Sequence, residues 1–470
     1  MNCMKKVIAG IGEVLWDVID GKKLPGGAPA NFAGHFLRND VRSEYECMVV
    51  SAVGRDNDGQ RLKEAFSNAG LVPVFQETGF PTGRVEVRLS KDGVPEYDFP
   101  DGSAWDNIAP IVLPEGTGAR LAAVCFGSLA QRSPVSRTSI LAFLDSLGKD
   151  VLKIFDANLR GTFYDRETLE VSLRRCNILK INESELSVLV GYGLCSENDS
   201  CRNLMSEYAL RCLILTCGAD GSYVYYTTPE SPDVRESYVP AGDVPVVDTV
   251  GAGDSFTGAF VASILSGHTV EQAHESASAV AGFVCTVSGA LPDYLADEGY
   301  VMRKAIDKDI SDICEIFQRA KVRRESDGMC LGTDKSPLRE NIVSDIEKGY
   351  GYVVQYEGRI VAYGAVVFDG DSAYSAWKGR WSADGPYVAL HRLAVVDKAE
   401  VSGLAERFLR MTVKLALMRG VHIFRIDIKY DDSFMQKLLE GERFRYCGDI
   451  IYTPGEPQSE RKVFDKVLDD

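Results

Sequence analysis

Along most of the chain, short β-branched or aliphatic runs alternate with segments whose apolar residues recur every three or four positions. Val7–Asp17 reads as a first strand running out to a carboxylate. Ala122–Phe126, Leu152–Phe155, Ile178–Ile181, Leu213–Thr216 and Tyr223–Tyr226 read as later strands. A helical stripe of Phe256, Ala259, Phe260 and Ile264 follows a glycine-rich turn. Such alternation predicts an α/β fold, a doubly wound and mostly parallel sheet with helices on both faces. Residues 82–99 keep another period. Val85, Val87 and Leu89 alternate with Arg84, Glu86 and Arg88, Lys91-Asp92-Gly93 turns the chain, and Tyr97 and Phe99 resume the alternation. This hairpin, polar on one side, suits a lid over a polar ligand, with lid strands at about 12–25 and 82–105.

The pattern breaks at Leu291–Gly299, which divides the chain into domains 1–298 and 299–470. The second domain has its own alternation. Strands are expected at Val301–Ala305, Tyr352–Tyr356, Arg359–Phe368, Val388–Val396, Phe424–Ile428, Phe444–Tyr452 and Lys462–Val467, and helices at Gly403–Arg419 and Asp432–Leu439. A length of 470 residues fits two or three cores.

Charge narrows the partners. The net charge is −16, and no basic stripe interrupts it, which argues against nucleic acid and anionic membrane. Twelve cysteines are scattered without a Cys-x-x-Cys pair or a zinc-spaced cluster, and Cys125, Cys212, Cys217 and Cys285 lie in apolar runs. They read as reduced, buried thiols. No stretch approaches membrane-spanning length, so the expected location is cytoplasmic.

Two tight loops hold the candidate chemistry. In Asp248-Thr249-Val250-Gly251-Ala252-Gly253-Asp254, the glycines bring backbone N–H groups close to a ligand, and a helix start adds unpaired donors. Asp254 at its mouth could take a proton from an attacking hydroxyl. Taken alone, an N-capping aspartate is the commoner explanation. Gly26-Gly27-Ala28-Pro29-Ala30-Asn31 could let a sugar lie against the backbone with the Asn31 amide as hydroxyl partner, or be a structural turn. Gly10-x-Gly12 lacks the third glycine of a dinucleotide fingerprint. Polar residues follow several strands: Asp156, Asn158 and Arg160, then Asn182 and Glu185, then Thr216, Gly218 and Gly221. Ligands of open α/β sheets bind beyond the carboxyl ends of strands, so these groups should converge on one crevice.

Residues 5–295 resemble the PfkB/ribokinase family of carbohydrate kinases, most closely its bacterial fructokinase branch. Gly26–Asn31 is similar to the family's N-terminal signature, Asp248–Phe256 to its C-terminal one, and Asn182-Glu183-Ser184-Glu185 to its Asn-x-x-Glu. The resemblance implies ATP-dependent phosphorylation of a small sugar such as fructose. It makes Asp254 the base and the backbone of Gly251, Ala252 and Gly253 the anion hole. Asn182 and Glu185 would hold hydrated Mg2+ and phosphate, and Thr216, Gly218 and Gly221 would flank ATP. Asp17, Gly27, Asn31 and Arg160 would meet the sugar. It further implies K+ near Asp248 and the Val250 carbonyl, and a homodimer through the lid strands. A nucleoside or sugar acid would need only different contacts in the same pocket.

Residues 299–470 resemble GNAT N-acetyltransferases, an α/β fold on a mixed sheet. The resemblance lies in Val301–Ala305, His391-Arg392-Leu393-Ala394-Val395, Arg425-Ile426-Asp427, Met435–Leu439 and Phe444–Gly448. It implies acetyl-CoA binding by the strand containing Val395 and by the loop with Gly403 and Ala405, and acetyl transfer to an amine. Glu400 stands where the family keeps a cation or glutamine, with Lys398 as a compensating charge, and Leu439 stands where many members have an acidic tyrosine. Tyr446 is the substitute acid and His391 a candidate base, both also explicable by packing. The competing reading is a degenerate acyl-CoA sensor or an oligomerisation module.

Overall fold

The computed structural model describes residues 4–19, 21–89, 95–326, 339–371, 374, 377, 379–396, 403–430, 432–451 and 460–468. The chain separates into two compact units, Met1–Pro292 and Asp293–Asp470.

The first unit is built on strands β1 (Lys6–Ile11), β2 (Leu15–Ile19), β3 (Lys22–Gly26), β4 (Tyr45–Gly54), β5 (Val72–Thr78), β6 (Gly83–Leu89), β7 (Pro95–Asp98), β8 (Leu121–Phe126), β9 (Leu152–Asp156), β10 (Ile178–Asn182), β11 (Cys212–Thr216), β12 (Ser222–Thr228) and β13 (Ser231–Val239). Nine of them form one sheet in the order β13-β12-β11-β10-β9-β8-β1-β4-β5. The pairs from β11 through β5 are all parallel, and the β12–β13 hairpin closes one edge antiparallel. From β1 the chain winds outward to β4 and β5, and then returns to β8 on the other side. The topological switch point therefore lies between β1 and β8, where such sheets open a crevice. Buried aliphatic residues of β1, β8, β9 and β10 fill the core, with Phe126 and Phe155 stacked at 5.2 Å between centroids.

Strands β3-β2-β6-β7 make the second, four-stranded sheet. Here the single strand expected over Val7–Asp17 is corrected. The run divides between two sheets, and Asp17 lies in the lid strand β2 rather than at the end of β1. The break falls at Gly12, whose φ is +146° and whose absent Cβ would lie 3.0 Å from the Pro29 ring. Hydrophobic alternation carries no record of such a break, because both halves are buried. The lid is tied down by Trp16, whose indole N–H donates to the Asp58 carbonyl at 3.0 Å, and by Lys23 on the Asp58 carboxylate at 2.6 Å. The Lys91–Gly93 turn lies outside the described residues.

Two helices bring the two loops together. Ala28–Asn39 starts at Gly27 with Pro29 in its first turn, where the missing N–H costs nothing. Ala252–Leu265 starts at Gly251. They cross at Gly258, where a Cβ would lie 2.8 Å from that of His35 and 2.9 Å from the Phe32 carbonyl. His35 is buried, and burial pulls its pKa down to about 3, so the neutral ring can bond the Ala290 carbonyl at 2.9 Å.

The second unit has β14 (Leu295–Asp297), β15 (Tyr300–Lys304), β16 (Gly351–Tyr356), β17 (Arg359–Val367), β18 (Val388–Val395), β19 (Ile423–Lys429), β20 (Arg445–Ile451) and β21 (Glu460–Val467) in the order β14-β15-β16-β17-β18-β19-β21-β20. Only β18–β19 is parallel, so the sheet is mixed. The expected boundary at 298/299 moves to 292/293, because Leu295–Asp297 pair with Tyr300–Met302.

Candidate active site

At the carboxyl ends of the parallel strands, register alone brings polar groups level. Asp156 at the end of β9 stands beside Lys180 of β10, and Asn182 at the end of β10 beside Thr216 of β11. The buried Lys180 ammonium holds the Asp156 carboxylate at 3.1 Å, and the Thr257 hydroxyl donates to its other oxygen at 3.2 Å. Burial opposes the ammonium charge, but Asp156, Glu185 and Asp254 outweigh it and its pKa is raised. The same ammonium stands against the glycine turn, since a Cβ on Gly253 would lie 2.7 Å from it.

Asp254 is the third residue of the Ala252–Leu265 helix, whose N-cap position is Gly251, so the N-cap explanation does not hold. Its carboxylate instead accepts from the Asn31 amide at 2.9 Å, across 223 positions of sequence. Burial raises its pKa to about 6, with the Asp156 charge adding to the shift, while the Asn31 bond, Lys180 and Arg160 oppose it. Gly251 adopts φ +81°, and a Cβ there would lie 2.3 Å from the Ala290 carbonyl oxygen, so the turn admits only glycine.

Asp17 packs over the flat face of Gly26, where a Cβ would lie 2.1 Å from Oδ2. Gly27, at φ +118°, leaves room for the Glu13 carbonyl. Burial raises the Asp17 pKa to about 6 against the pull of Arg160. Asn182 and Glu185 form a capping box on the Glu183–Gly191 helix. The Asn182 side-chain oxygen Oδ1 accepts from the Glu185 N–H at 2.9 Å, and the Glu185 carboxylate accepts from the Asn182 N–H at 2.8 Å. The second Glu185 oxygen accepts from the Leu159 N–H at 2.9 Å, which ties it to the loop bearing Arg160. Glu185 thus has only its spare lone pairs for a hydrated cation. Among the described residues, no cluster of three or more His, Cys, Asp or Glu side chains could hold a metal ion directly. Gly218 and Gly221 shape a turn, where a Cβ on Gly221 would meet the Val239 carbonyl at 2.2 Å. Asp248 accepts from the N–H groups of Val250 and Gly289, both at 3.0 Å.

A family profile described as pfkB family carbohydrate kinase matches residues 9–296. The chain belongs to this family. Within it, a protein named Probable fructokinase-5 from Arabidopsis thaliana is 29% identical over 287 residues, which is 57% of this chain and 85% of the relative. Aminoimidazole riboside kinase from Salmonella typhimurium is 27% identical over 312 residues, 62% of this chain and 92% of its own. The crystal structure of an uncharacterized sugar kinase from Pyrococcus horikoshii in complex with ATP has a TM-score of 0.51 and 25% identity, covering 60% of this chain and 94% of that one. For the first unit, the ribokinase-like fold is what such similarity supports.

Two buried groups of this kinase site escaped sequence reading. Lys180 sat inside an apolar strand pattern, and only the neighbouring Asp156 hinted at it. Glu13 followed an apolar run with no partner in sequence. A pH consequence follows if Asp254 serves as a base. A carboxyl raised to about 6 keeps its proton until that pH, and only the ionised form can accept another. The acid limb of kcat/KM is therefore expected near pH 6, falling about tenfold per unit below it, and a rate that is flat down to pH 4.5 would remove Asp254 from that role.

In the second unit, β18 and β19 pair only over Val388–Leu390, while β18 continues to Val395 and β19 to Lys429. Beyond Leu390 the two strands diverge. His391 stands at the opening, 3.1 Å from Asp371 and 3.4 Å from Asp427, and Tyr374 donates to Asp427 at 2.6 Å. Burial opposes the His391 charge, but the two adjacent carboxylates raise its pKa to about 9 even though the buried Nε2 makes no aligned hydrogen bond among the described residues, so it is a cation at neutral pH and a poor base. Tyr446, about half exposed, bonds Asp449 at 2.8 Å, and its pKa is pushed up to about 12 by partial desolvation and that carboxylate. Gly403, at φ +74°, starts the Leu404–Met418 helix containing Ala405. Lys398, Glu400, Val401 and Ser402 lie outside the described residues.

Proposed function

We propose that the first unit phosphorylates a hydroxyl of a small sugar, most naturally fructose or a related ketose, with ATP as donor. The observation that carries this reading is the placement of Asp254, a buried carboxylate held by Asn31 at the mouth of a glycine turn that admits no side chain. Phosphoryl transfer demands positioning and charge stabilisation more than covalent chemistry. The sugar hydroxyl gives its proton to Asp254 as its oxygen bonds the γ-phosphorus, and the bond from that phosphorus to the β-γ bridging oxygen breaks to release ADP. Of the three expected donors, the Ala252 N–H is already given to the Thr249 carbonyl at 3.2 Å, which leaves those of Gly251 and Gly253 for the transferring oxygens, and Lys180 adds a fixed positive charge beside them. Asp17, Gly27, Asn31 and Arg160 bind the sugar, while Thr216, Gly218 and Gly221 lie along ATP. Asn182 and Glu185 fit a Mg2+ ion reached through its waters, because their oxygens already receive backbone donors. Asp248 and the Val250 carbonyl are where K+ would bind, and the lid strands are where two copies would pair.

The test is ADP release by the full-length protein with fructose, ribose, a sugar acid and nucleosides. Saturable release with fructose at kcat/KM of about 10⁴ M⁻¹s⁻¹ or more is expected. A nucleoside turned over faster than every sugar would select the alternative substrate class, which the similarity to aminoimidazole riboside kinase favours.

For the second unit we propose acyl-CoA binding, supported by the divergence of β18 from β19 and by the helix starting at Gly403. Acetyl transfer to an amine is the activity this would serve, although His391 is poorly suited as its base. Acetyl-CoA titrated into the full-length protein is expected to release heat with 1:1 stoichiometry. Its absence would leave this unit an oligomerisation module, and a change in kinase rate on binding would make it a sensor.

A further inference from the structure

Glu13 is the residue that this picture leaves without a task. It follows β1 at the switch point, is 3% exposed, and among the described residues its Oε2 is buried with no hydrogen-bond partner. Its carboxylate lies against the N–H groups of Glu13 itself and of Ala28, the first residue of the helix that delivers Asn31 to Asp254. The Glu13 carbonyl packs under Gly27, and the neighbouring Gly26 supports Asp17. Glu13 thus lies close enough to Asp254 for the two carboxyl groups to repel, and Asp17 shares with both the influence of Arg160. The cations acting on them are Arg160, felt by all three, and Lys180, felt by Asp254 and already tied to Asp156.

We propose that Glu13 is a sugar-binding residue, and that the pocket it completes takes an uncharged sugar and rejects sugars carrying a carboxylate or phosphate. This rests on the kinase reading above. A buried acceptor without a partner loses free energy, and a hydroxyl of the sugar is the donor that removes the loss. An anionic substituent would enter a pocket whose acids outnumber its cations, away from the solvent that could screen them. Burial, reinforced by Asp254, raises the Glu13 pKa to about 7, so the group can accept from a hydroxyl when ionised and donate to one when protonated.

The experiment uses the full-length protein with D-fructose, D-fructose 6-phosphate and a 2-keto-3-deoxy sugar acid. It measures ADP release and, independently of turnover, the thermal shift each sugar gives in the presence of ADP. The uncharged sugar is expected to exceed both anions at least ~100-fold in kcat/KM. Glu13→Gln is expected to raise the sugar KM at least ~10-fold, leave the KM for ATP in place, and narrow the discrimination. An anionic sugar bound or turned over as well as fructose overturns the proposal, as does an absence of shift with every sugar. A folded Glu13→Gln enzyme with unchanged sugar KM and discrimination overturns it as well. The wild-type comparison decides the charge preference even if the variant fails to fold. Selective binding of fructose without ADP release would sink the kinase reading alone, whereas release with equal preference for charged sugars would sink this one alone.

Discussion

Asp254→Asn is expected to lower kcat by ~10³-fold while leaving the KM values for sugar and ATP within about threefold, because general-base removal acts on the transition state. The substitution keeps size and shape, and an asparagine can still meet the Asn31 amide through its oxygen. What it loses is the ability to take a proton. Stability should not fall, since the native carboxylate is buried and repelled by Asp156, and the variant relieves both. The sign is what makes the result decisive. A base variant that is inactive but at least as resistant to heat cannot be explained by unfolding. Steady-state kinetics with a thermal melt provides the check, and wild-type turnover would end the catalytic assignment.

Gly251→Ala should be nearly as damaging by a different route. At φ +81° an alanine costs ~1–2 kcal/mol in backbone strain alone. Its Cβ would also stand 2.3 Å from the Ala290 carbonyl, a contact that only a shift of the turn can relieve. Because the Gly251 and Gly253 N–H groups move with the turn, kcat is expected to fall ~10²–10³-fold, the effect of losing an oxyanion-type donor. Gly267→Ala is the matched control. Its φ is +89°, but nothing lies within 4 Å of the added Cβ. It should show the strain cost as a lowered melting temperature with kcat essentially unchanged. Equal kcat losses in both variants would mean that the turn acts through stability rather than through its donors.

Much of the site was legible because its chemistry is local. A glycine turn entering a helix looks the same in sequence as in space, and so does a loop of small residues before another helix. The alternation of strands and helices also fixed the parallel sheet, since hydrophobic period depends on which faces are buried. Local pattern failed where the backbone changed sheets without changing burial, as at Gly12, so Val7–Asp17 read as one strand even though the lid strand expected at about 12–25 already included Asp17. It also could not show that Asn182 and Glu185 bind each other's backbone, which limits them to an indirect hold on any cation.

The sequence by itself determined the two units, the parallel core, the lid hairpin and the identity of the acid beside the anion turn. Only tertiary structure decided how that acid is held. The sequence left Asp254 as a helix cap or a base. Its bond to Asn31 and its burial beside Asp156, Lys180 and Arg160 come from strands and helices far apart in the chain. The same packing left one oxygen of the buried Glu13 acid without a partner among the described residues and made Lys180 a permanent cation at the turn. Local sequence specifies which groups exist and how the backbone bends near them. Desolvation and charge pairing, which set what those groups can do, depend on neighbours that only the folded chain supplies.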